Sequence, residues 1–275
     1  MNYYIKYTYL NTNYWNEIKT LKYLRNIPSF SSFFYIFNEY ELNDKQLKLV
    51  FIKHPSTFQP LLSFIFQQNK YYFYLTYSFL QLLNNIELLN NYHICYMNPY
   101  LLSYLIENKT HIYLSDFSYS LFSKKIRKTG EIFLKKLPIF KNMCNEYPLE
   151  LHFIYYILFH SWETLDSDKI QFVFQLFSIE NDELFTFYSS FINEPKMKIV
   201  YSLFEYSYTW DLYILSKLFI PILSSCSKNL LNNEFISLLE LSSHNIPTHR
   251  KSISFIRQYL EYLVIQNKDI LTSSS

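Results

Sequence analysis

The sequence predicts an α+β fold, with a small antiparallel sheet near the N-terminus and a mainly helical remainder. Three observations predict it. Residues 2–9, 33–40 and 47–52 carry aromatic and β-branched side chains in short runs, which is strand composition. From residue 71 the apolar side chains instead recur at helical spacing, most clearly Leu75, Phe79, Leu82, Leu83, Ile86 and Leu89. Of the 275 residues, 49% are hydrophobic and 21% aromatic, enough to fill the core of one large domain or two lobes. The excess of Tyr, Phe, Asn, Ile and Lys is also what an AT-rich genome encodes, so it carries no functional meaning.

Charge and composition exclude several function classes. Charged residues make up 17% and the net charge is +2, which gives no electrostatic case for nucleic acid or membrane binding. The single glycine, Gly130, rules out a glycine-rich phosphate cradle, because backbone N–H groups cannot close on phosphate past side chains. Cys95, Cys144 and Cys226 lack any C-x-x-C spacing, and no apolar signal segment follows Met1-Asn2-Tyr3-Tyr4. Both points favour a reducing, intracellular, cytoplasmic setting. The seven His lack ligand spacing, so structural zinc is not expected. The most hydrophobic stretch, residues 212–223, is interrupted by Lys217 and Pro221, so no transmembrane segment is expected.

In chain order, strand 2–9 contains Ile5-Lys6 and precedes a helix from about Tyr14, capped by Asn13, with Ile18, Leu21 and Leu24 on one face. Strands 33–40 and 47–52 are joined by the turn Glu41-Leu42-Asn43-Asp44. Lys53-His54-Pro55-Ser56 breaks the pattern, and helices 58–68 and 71–89 follow. Residues 94–118 read as a loop, a strand Tyr104-Leu105-Ile106, a turn Glu107-Asn108-Lys109, a strand Ile112-Tyr113-Leu114, then Asp116-Phe117. A basic segment, 118–145, contains Lys124, Lys125, Arg127, Lys128, Lys135 and Lys136. Helical sequence fills 151–208, a further helix starts at Trp210-Asp211, and the last helix covers 253–265 ahead of a Ser-rich tail.

The stretch 94–118 resembles the catalytic and magnesium-binding loops of the protein kinase superfamily, which read roughly His-x-Asp-x-Lys-Pro-x-Asn, two short strands, then Asp-Phe-Gly. Placing Asp116 on the magnesium aspartate puts Asn98, eighteen residues earlier, at the catalytic aspartate. Tyr96 then takes the histidine position, Tyr100 the lysine, Ser103 the metal-binding asparagine and Ser118 the glycine. Tyr147-Pro148-Leu149-Glu150-Leu151-His152 resembles the Ala-Pro-Glu end of the activation segment, and more closely the Pro-Leu-Glu-x-His form in kinases of large DNA viruses. Trp210-Asp211-Leu212-Tyr213-Ile214-Leu215-Ser216 resembles Trp-Asp-x-Tyr-Ser-Leu-Gly. Asn245-Ile246-Pro247-Thr248-His249-Arg250-Lys251-Ser252 resembles Asn-Pro-x-x-Arg-x-Ser. Together these cover about residues 1–265.

The resemblance implies a bilobal protein-kinase-like fold with a truncated N-lobe sheet and a mainly helical C-lobe. The N-lobe is residues 1–53 without a glycine-rich loop, the C-lobe 54–268 with a helical insertion at about 151–208, and 269–275 a flexible tail. Lys6 and Glu17 are the candidates for the pair in which a helix glutamate holds a strand lysine on the nucleotide phosphates; taken alone they also read as a surface lysine and a helix-dipole glutamate. Asp116 and Ser103 would hold metal. Glu150 and Arg250 would form a buried pair, and Asp211 would accept hydrogen bonds from the catalytic-loop backbone. Segment 118–145 matches the activation segment, with Ser123 and Thr129 as phosphate acceptors, or else a solvated basic loop. An alternative frame puts His93 and Cys95 on the family's histidine and aspartate, twenty-one residues before Asp116.

Most of the family's chemistry is missing from this frame. Asn98 is an amide and cannot act as a base, Tyr100 brings no positive charge, and Ser103 offers only a neutral hydroxyl. The reading is therefore a pseudokinase that engages a protein partner (a kinase, a kinase substrate or a host regulator), with binding of ATP and magnesium weak or absent. One alternative is a weakly active serine/threonine kinase in which Asp116 and Lys6 still hold Mg-ATP. Another is a helical structural protein in which Asp116 caps a turn and Glu150 and Arg250 pair at the surface.

Overall fold

Strand runs near the N-terminus and amphipathic runs beyond it give an α+β molecule that is mainly helical with small sheets. The computed structural model describes residues 4–9, 12–35, 39–43, 46–51, 58–67, 71–126, 130–141, 143–160, 162–226 and 230–267. β1 (Tyr4–Tyr9) and α1 (Thr12–Leu24) lead to a 3-10 turn at Phe30–Ser32, then β2 (Glu39–Asn43), β3 (Gln46–Phe51) and β4 (Phe58–Pro60). α2 (Leu61–Ile65), α3 (Tyr71–Asn91) and β5 (Ile94–Cys95) precede the hairpin β6 (Tyr104–Glu107) and β7 (His111–Leu114). β8 (Leu121–Phe122), α4 (Ser123–Ile126) and α5 (Glu131–Leu134) follow. The remainder is α6 (Leu149–Phe159), α7 (Ser167–Leu176), α8 (Asp182–Ser189), α9 (Lys196–Phe204), α10 (Trp210–Ser225), α11 (Leu230–Ser242) and α12 (Ile253–Gln266).

The chain divides into two compact units, residues 1–91, 100–120 and 257–275 in one, and 92–99 and 121–256 in the other. The first contains two antiparallel sheets, ordered β1-β3-β2 and β4-β6-β7. In the β2–β3 pair, Glu41 lies directly opposite Lys48 and their charges meet at 2.8 Å. The expected turn at 41–44 is thus displaced, because Glu41 to Asn43 are strand residues. The expected strand at 33–40 is present at its end, where Glu39 and Tyr40 open β2, but not at its start, and 36–38 lie outside the described residues. Ser29 is left-handed, a 3-10 turn follows, and of residues 33–35 only Phe34 bridges to a strand residue, Leu114. Its ring is buried edge-on against Phe117 at 5.5 Å, and this packing outweighs the local strand preference.

Two further boundaries differ from expectation. Helix 58–68 begins later, because Phe58 to Pro60 pair with β6 and only Leu61–Ile65 are helical. Pro60 sits at the end of this edge strand and at the helix start, where its missing N–H costs least. α1 starts at Thr12, so Asn13 is a helix residue and not its cap; helix ends vary by a residue or two. α3 buries Leu75, Phe79, Leu82, Leu83, Ile86 and Leu89 as its spacing requires. Its polar residues Gln81 and Asn85 grip the hairpin edge: Asn85 Nδ2 donates to the Ile112 carbonyl at 3.1 Å, and the Ile112 N–H donates to Gln81 Oε1 at 3.1 Å. The break at 53–56, Thr129 and the tail at 269–275 lie outside the described residues.

Among the described residues the second unit is mainly helical, with a short β5–β8 pair and a single bridge between Leu165 and Ile192. Its helix starts follow local chemistry: the Asp166 and Asn181 side chains accept from the Lys169 and Leu184 backbone N–H groups at 2.9 and 2.8 Å. Phe153 stacks on Tyr188 at 4.0 Å in the core, with Trp210 and Phe219 also buried. The basic stretch 118–145 is not a loop throughout. It contains β8, α4 and α5, because Leu121, Ile126, Leu134, Ile139 and Phe140 are buried and fix it every few residues. Among the described residues no helix is long and apolar enough to cross a membrane.

Asn85 is 3% exposed. Asn85→Ala leaves the Ile112 carbonyl without that donor and is expected to cost about 1–3 kcal/mol, read from urea denaturation. A change under a few tenths would contradict this role for Asn85.

Candidate functional site

In the first unit, the site residues are set by the β6–β7 hairpin. Tyr104 pairs with Leu114, so Ser103 and Ser115 sit next to each other just past the paired residues. The Ser103 carbonyl accepts from both the N–H and the hydroxyl of Ser115, each at 3.0 Å. Asp116 follows in the left-handed region, φ 57°, a conformation Asp tolerates better than most side chains. Its Oδ1 accepts from the Ser118 hydroxyl at 2.5 Å and the Ser118 N–H at 3.2 Å. The residue at the family's glycine position therefore folds back on the carboxylate. Asn16 of α1 donates through Nδ2 to the Ser118 and Ser120 carbonyls, both at 2.8 Å.

The structure thus brings Ser103 and Asp116 to the same end of one hairpin. Tyr100 is 46% exposed, with its ring 5.8 Å from that of Tyr119. Glu17 is half-buried on α1, beside Asn16. Lys6 is paired with Leu49 by its strand backbone, but its side chain, and so the Lys6–Glu17 pair, lies outside the described residues.

In the second unit, residues 96–98 are buried and held by side chains distant in sequence. Asp211, in the first turn of α10, accepts from the Tyr96 N–H through Oδ2 and the Met97 N–H through Oδ1, each at 2.8 Å. The Tyr147 hydroxyl donates to the Met97 carbonyl at 3.2 Å. Met97 has φ 60°, and both of its backbone polar groups are bonded. Asn98, next in the chain, is 1% exposed. Burial pushes Asp211 up to about 6, against the two N–H groups that favour its charged form. Cys95 donates to the Ser207 carbonyl, and burial followed by the Asp211 charge pushes its thiol well up, away from nucleophilic use.

Glu150 and Arg250 meet in the same unit with both side chains fully buried. Arg250 Nη1 and Nη2 donate to Glu150 Oε1 and Oε2, both at 2.7 Å, in a bidentate pair. Arg250 also donates to Thr209 Oγ1 at 2.8 Å and to the His244 carbonyl at 2.7 Å. Trp210 Nε1 adds a donor to Glu150 Oε1 at 3.2 Å, and the guanidinium lies over the Tyr213 ring at 4.6 Å. Sequence reasoning missed Asn16, Thr209, Trp210 Nε1 and Tyr147 as partners. Only Trp210 carried a signal, through its place beside Asp211. It also missed buried Lys196, which pairs with Glu131 at 2.8 Å. Ser123 donates its N–H and hydroxyl to the His93 carbonyl.

His152, two residues past Glu150, is 5% exposed; its ring lies 4.2 Å from Phe177 and its Nε2 has no partner. Burial pulls it down to about 4, against the opposing Cys144 and Tyr147 backbone carbonyls. Among the described residues no three His, Cys, Asp or Glu gather as a metal site. The sequence matches no protein-family model, and a search of curated proteins finds no match.

Removing one side of the buried pair leaves a lone buried charge, so Arg250→Met should cost about 3–5 kcal/mol in denaturant unfolding. Glu150→Met with Arg250→Met should recover much of that loss; equal losses in the single and double variants would contradict it. The pH dependence has a defined sign. The unfolded chain protonates His152 near its ordinary 6.5 while the fold resists to about 4, so its contribution is full above 6.5 and lost as pH falls toward 4. Asp211 acts oppositely, its contribution fading as pH rises from about 4 to 6. His152→Gln is therefore expected to remove up to about 3 kcal/mol of acid-side loss at pH 4, measured by denaturation across that range.

Proposed function

We propose that this chain is a degenerate member of the protein kinase superfamily that works as a protein-binding module and not as a phosphotransferase. The observation that carries the reading is Asp211 accepting the Tyr96 and Met97 backbone N–H groups directly before Asn98. The resemblance assigns that contact to the loop whose next residue is the catalytic base, and here that residue is an amide. The buried Glu150–Arg250 pair supports the same reading, since the resemblance gives it a structural role.

The chemistry the resemblance would need is thin. Phosphoryl transfer requires a phosphate cradle, metal ligands, a group to orient the hydroxyl and positive charge. The only glycine is Gly130. Asn98 cannot take a proton, a loss worth about 10²–10⁴-fold. Tyr100 supplies no cation to the transferred group, and Ser103 is a weaker metal ligand than an amide oxygen or carboxylate. Asp116 keeps its carboxylate, but one oxygen already accepts two hydrogen bonds from Ser118. If Mg-ATP binds, Asp116 and Ser103 would hold the metal, with Lys6 at the phosphates, held there by Glu17. The magnesium would neutralise phosphate charge.

What such a chain retains suits a scaffold or decoy inside a cell that engages a kinase, a kinase substrate or a host regulator. A large DNA virus is the source that the Pro148-Leu149-Glu150-x-His152 form favours. Phosphate transfer from labelled ATP with magnesium or manganese, to the chain itself and to a basic protein, tests this. The expected outcome is no transfer above the level of Asp116→Ala. Transfer that disappears in Asp116→Ala would make the chain a divergent serine/threonine kinase and overturn the proposal.

A further inference from the structure

The second unit contains a cleft of about 420 Å³ between α6, the end of α7 and α10. Among the described residues its wall includes one ammonium, Lys217, and no carboxylate. It adjoins a second cleft of about 560 Å³, and the two share Ile179, Lys217 and Asn245. Glu180 and Glu240 line only that neighbour, so the acids lie on one side of Lys217 and the carboxylate-free space on the other.

Two side chains at the smaller cleft, Lys217 and Asn245, offer donors. Lys217 is half-buried, with its Nζ 5.4 Å from the Tyr213 ring centre and no carboxylate in ion-pair range among the described residues. Burial and the nearby Arg250 charge pull the Lys217 ammonium down, while Glu240 acts only as a smaller, opposing influence. A cation that has lost part of its water without gaining a counter-charge favours an incoming anion. The Tyr213 hydroxyl donates to Asn245 Oδ1 at 3.1 Å, which leaves the Asn245 NH₂ as that side chain's donor. Phe177 and Tyr213 supply aromatic surface, and the volume lies within the usual range for small organic ligands and well beyond a bare oxyanion.

We infer that this cleft binds a small organic oxyanion, a carboxylate or phosphate group on an apolar or aromatic body, with Lys217 as counter-charge and the Asn245 amide as second donor. The aromatic body packs against Phe177 and Tyr213. The site stands independently of the kinase reading, since it uses none of the residues at the family's catalytic positions.

Calorimetric titration of the full chain with phenyl phosphate, benzoate, inorganic phosphate and benzyl alcohol tests it. Phenyl phosphate or benzoate should bind, the tighter one naming the anionic group, and benzyl alcohol and inorganic phosphate should bind more weakly. Losing the counter-charge in Lys217→Met should weaken binding about tenfold or more, and Lys217→Arg should retain it. Asn245→Asp, which places a like charge at the same size, should weaken it as well, and it keeps the test decisive if Lys217→Met does not fold. Circular dichroism checks the fold of each variant. Benzyl alcohol binding as tightly as the anions would overturn the inference. So would inorganic phosphate matching phenyl phosphate, unchanged affinity in folded Lys217→Met or in Asn245→Asp, or no binding of any probe.

Discussion

Arg250 is the side chain on which the second unit depends. From a position where it is sealed from water, it reaches Glu150 in the first turn of α6, Thr209 just before α10 and the carbonyl of His244 after α11. Its flat face covers Tyr213 on α10. Only arginine combines a planar fork for the carboxylate, further N–H donors and a face that stacks on an aromatic ring. The two carboxylate oxygens of Glu150 are both bonded, and Oε1 also accepts from Trp210. A buried pair satisfied this fully adds less to net stability than to geometry, because both charges had to leave water. Its effect is to fix three helix ends at one point.

Asp211 extends that arrangement by one residue beyond Trp210. Its two oxygens hold the Tyr96 and Met97 N–H groups, and Tyr147, from just before α6, holds the Met97 carbonyl. Met97 is left-handed without being glycine, a strain of about 1–3 kcal/mol that persists only where surroundings over-determine the backbone. In the first unit, Asp116 is left-handed as well, and is held by Ser118 on its carboxylate while Asn16 holds the carbonyls that follow. Both segments are fixed by side chains from elsewhere in their own unit. This explains how Met97 and Asp116 hold left-handed positions that glycine would take at less cost.

The polar groups of these segments are spent on holding backbone, and few are left to titrate or to carry charge into a reaction. Asp211 and Cys95 are both pushed toward their neutral forms by burial, and Asn98 and Ser103 are neutral by nature. Phosphoryl transfer needs the reverse, charged groups presented to solvent-excluded substrate. A binding module needs only the shape that these contacts maintain. Unpaired charge persists elsewhere in the second unit, at Lys217, where the cleft wall offers donors and aromatic surface instead of a carboxylate.

Side-chain spacing determined the long helix α3 and its buried face, and the hairpin residues 104–114, the helical character of 151–208 and the last helix were legible as local runs. Each depends on side-chain spacing within one element. The partners of Asp211, and the meeting of Glu150 with Arg250 one hundred residues away, were reached from sequence only through resemblance to kinase motifs, since nothing local links those positions. What tertiary structure alone decided was where local preference loses. Residues 33–35 formed a single bridge in place of a strand because Phe34 packs on Phe117, Phe58 to Pro60 became an edge strand because β6 offered it partners, and the basic stretch 118–145 acquired structure because its apolar residues found a core. Asn16, Thr209 and Tyr147 were not legible at all. A lone polar side chain carries no spacing signal, and its partner is chosen only when distant segments come within hydrogen-bond reach.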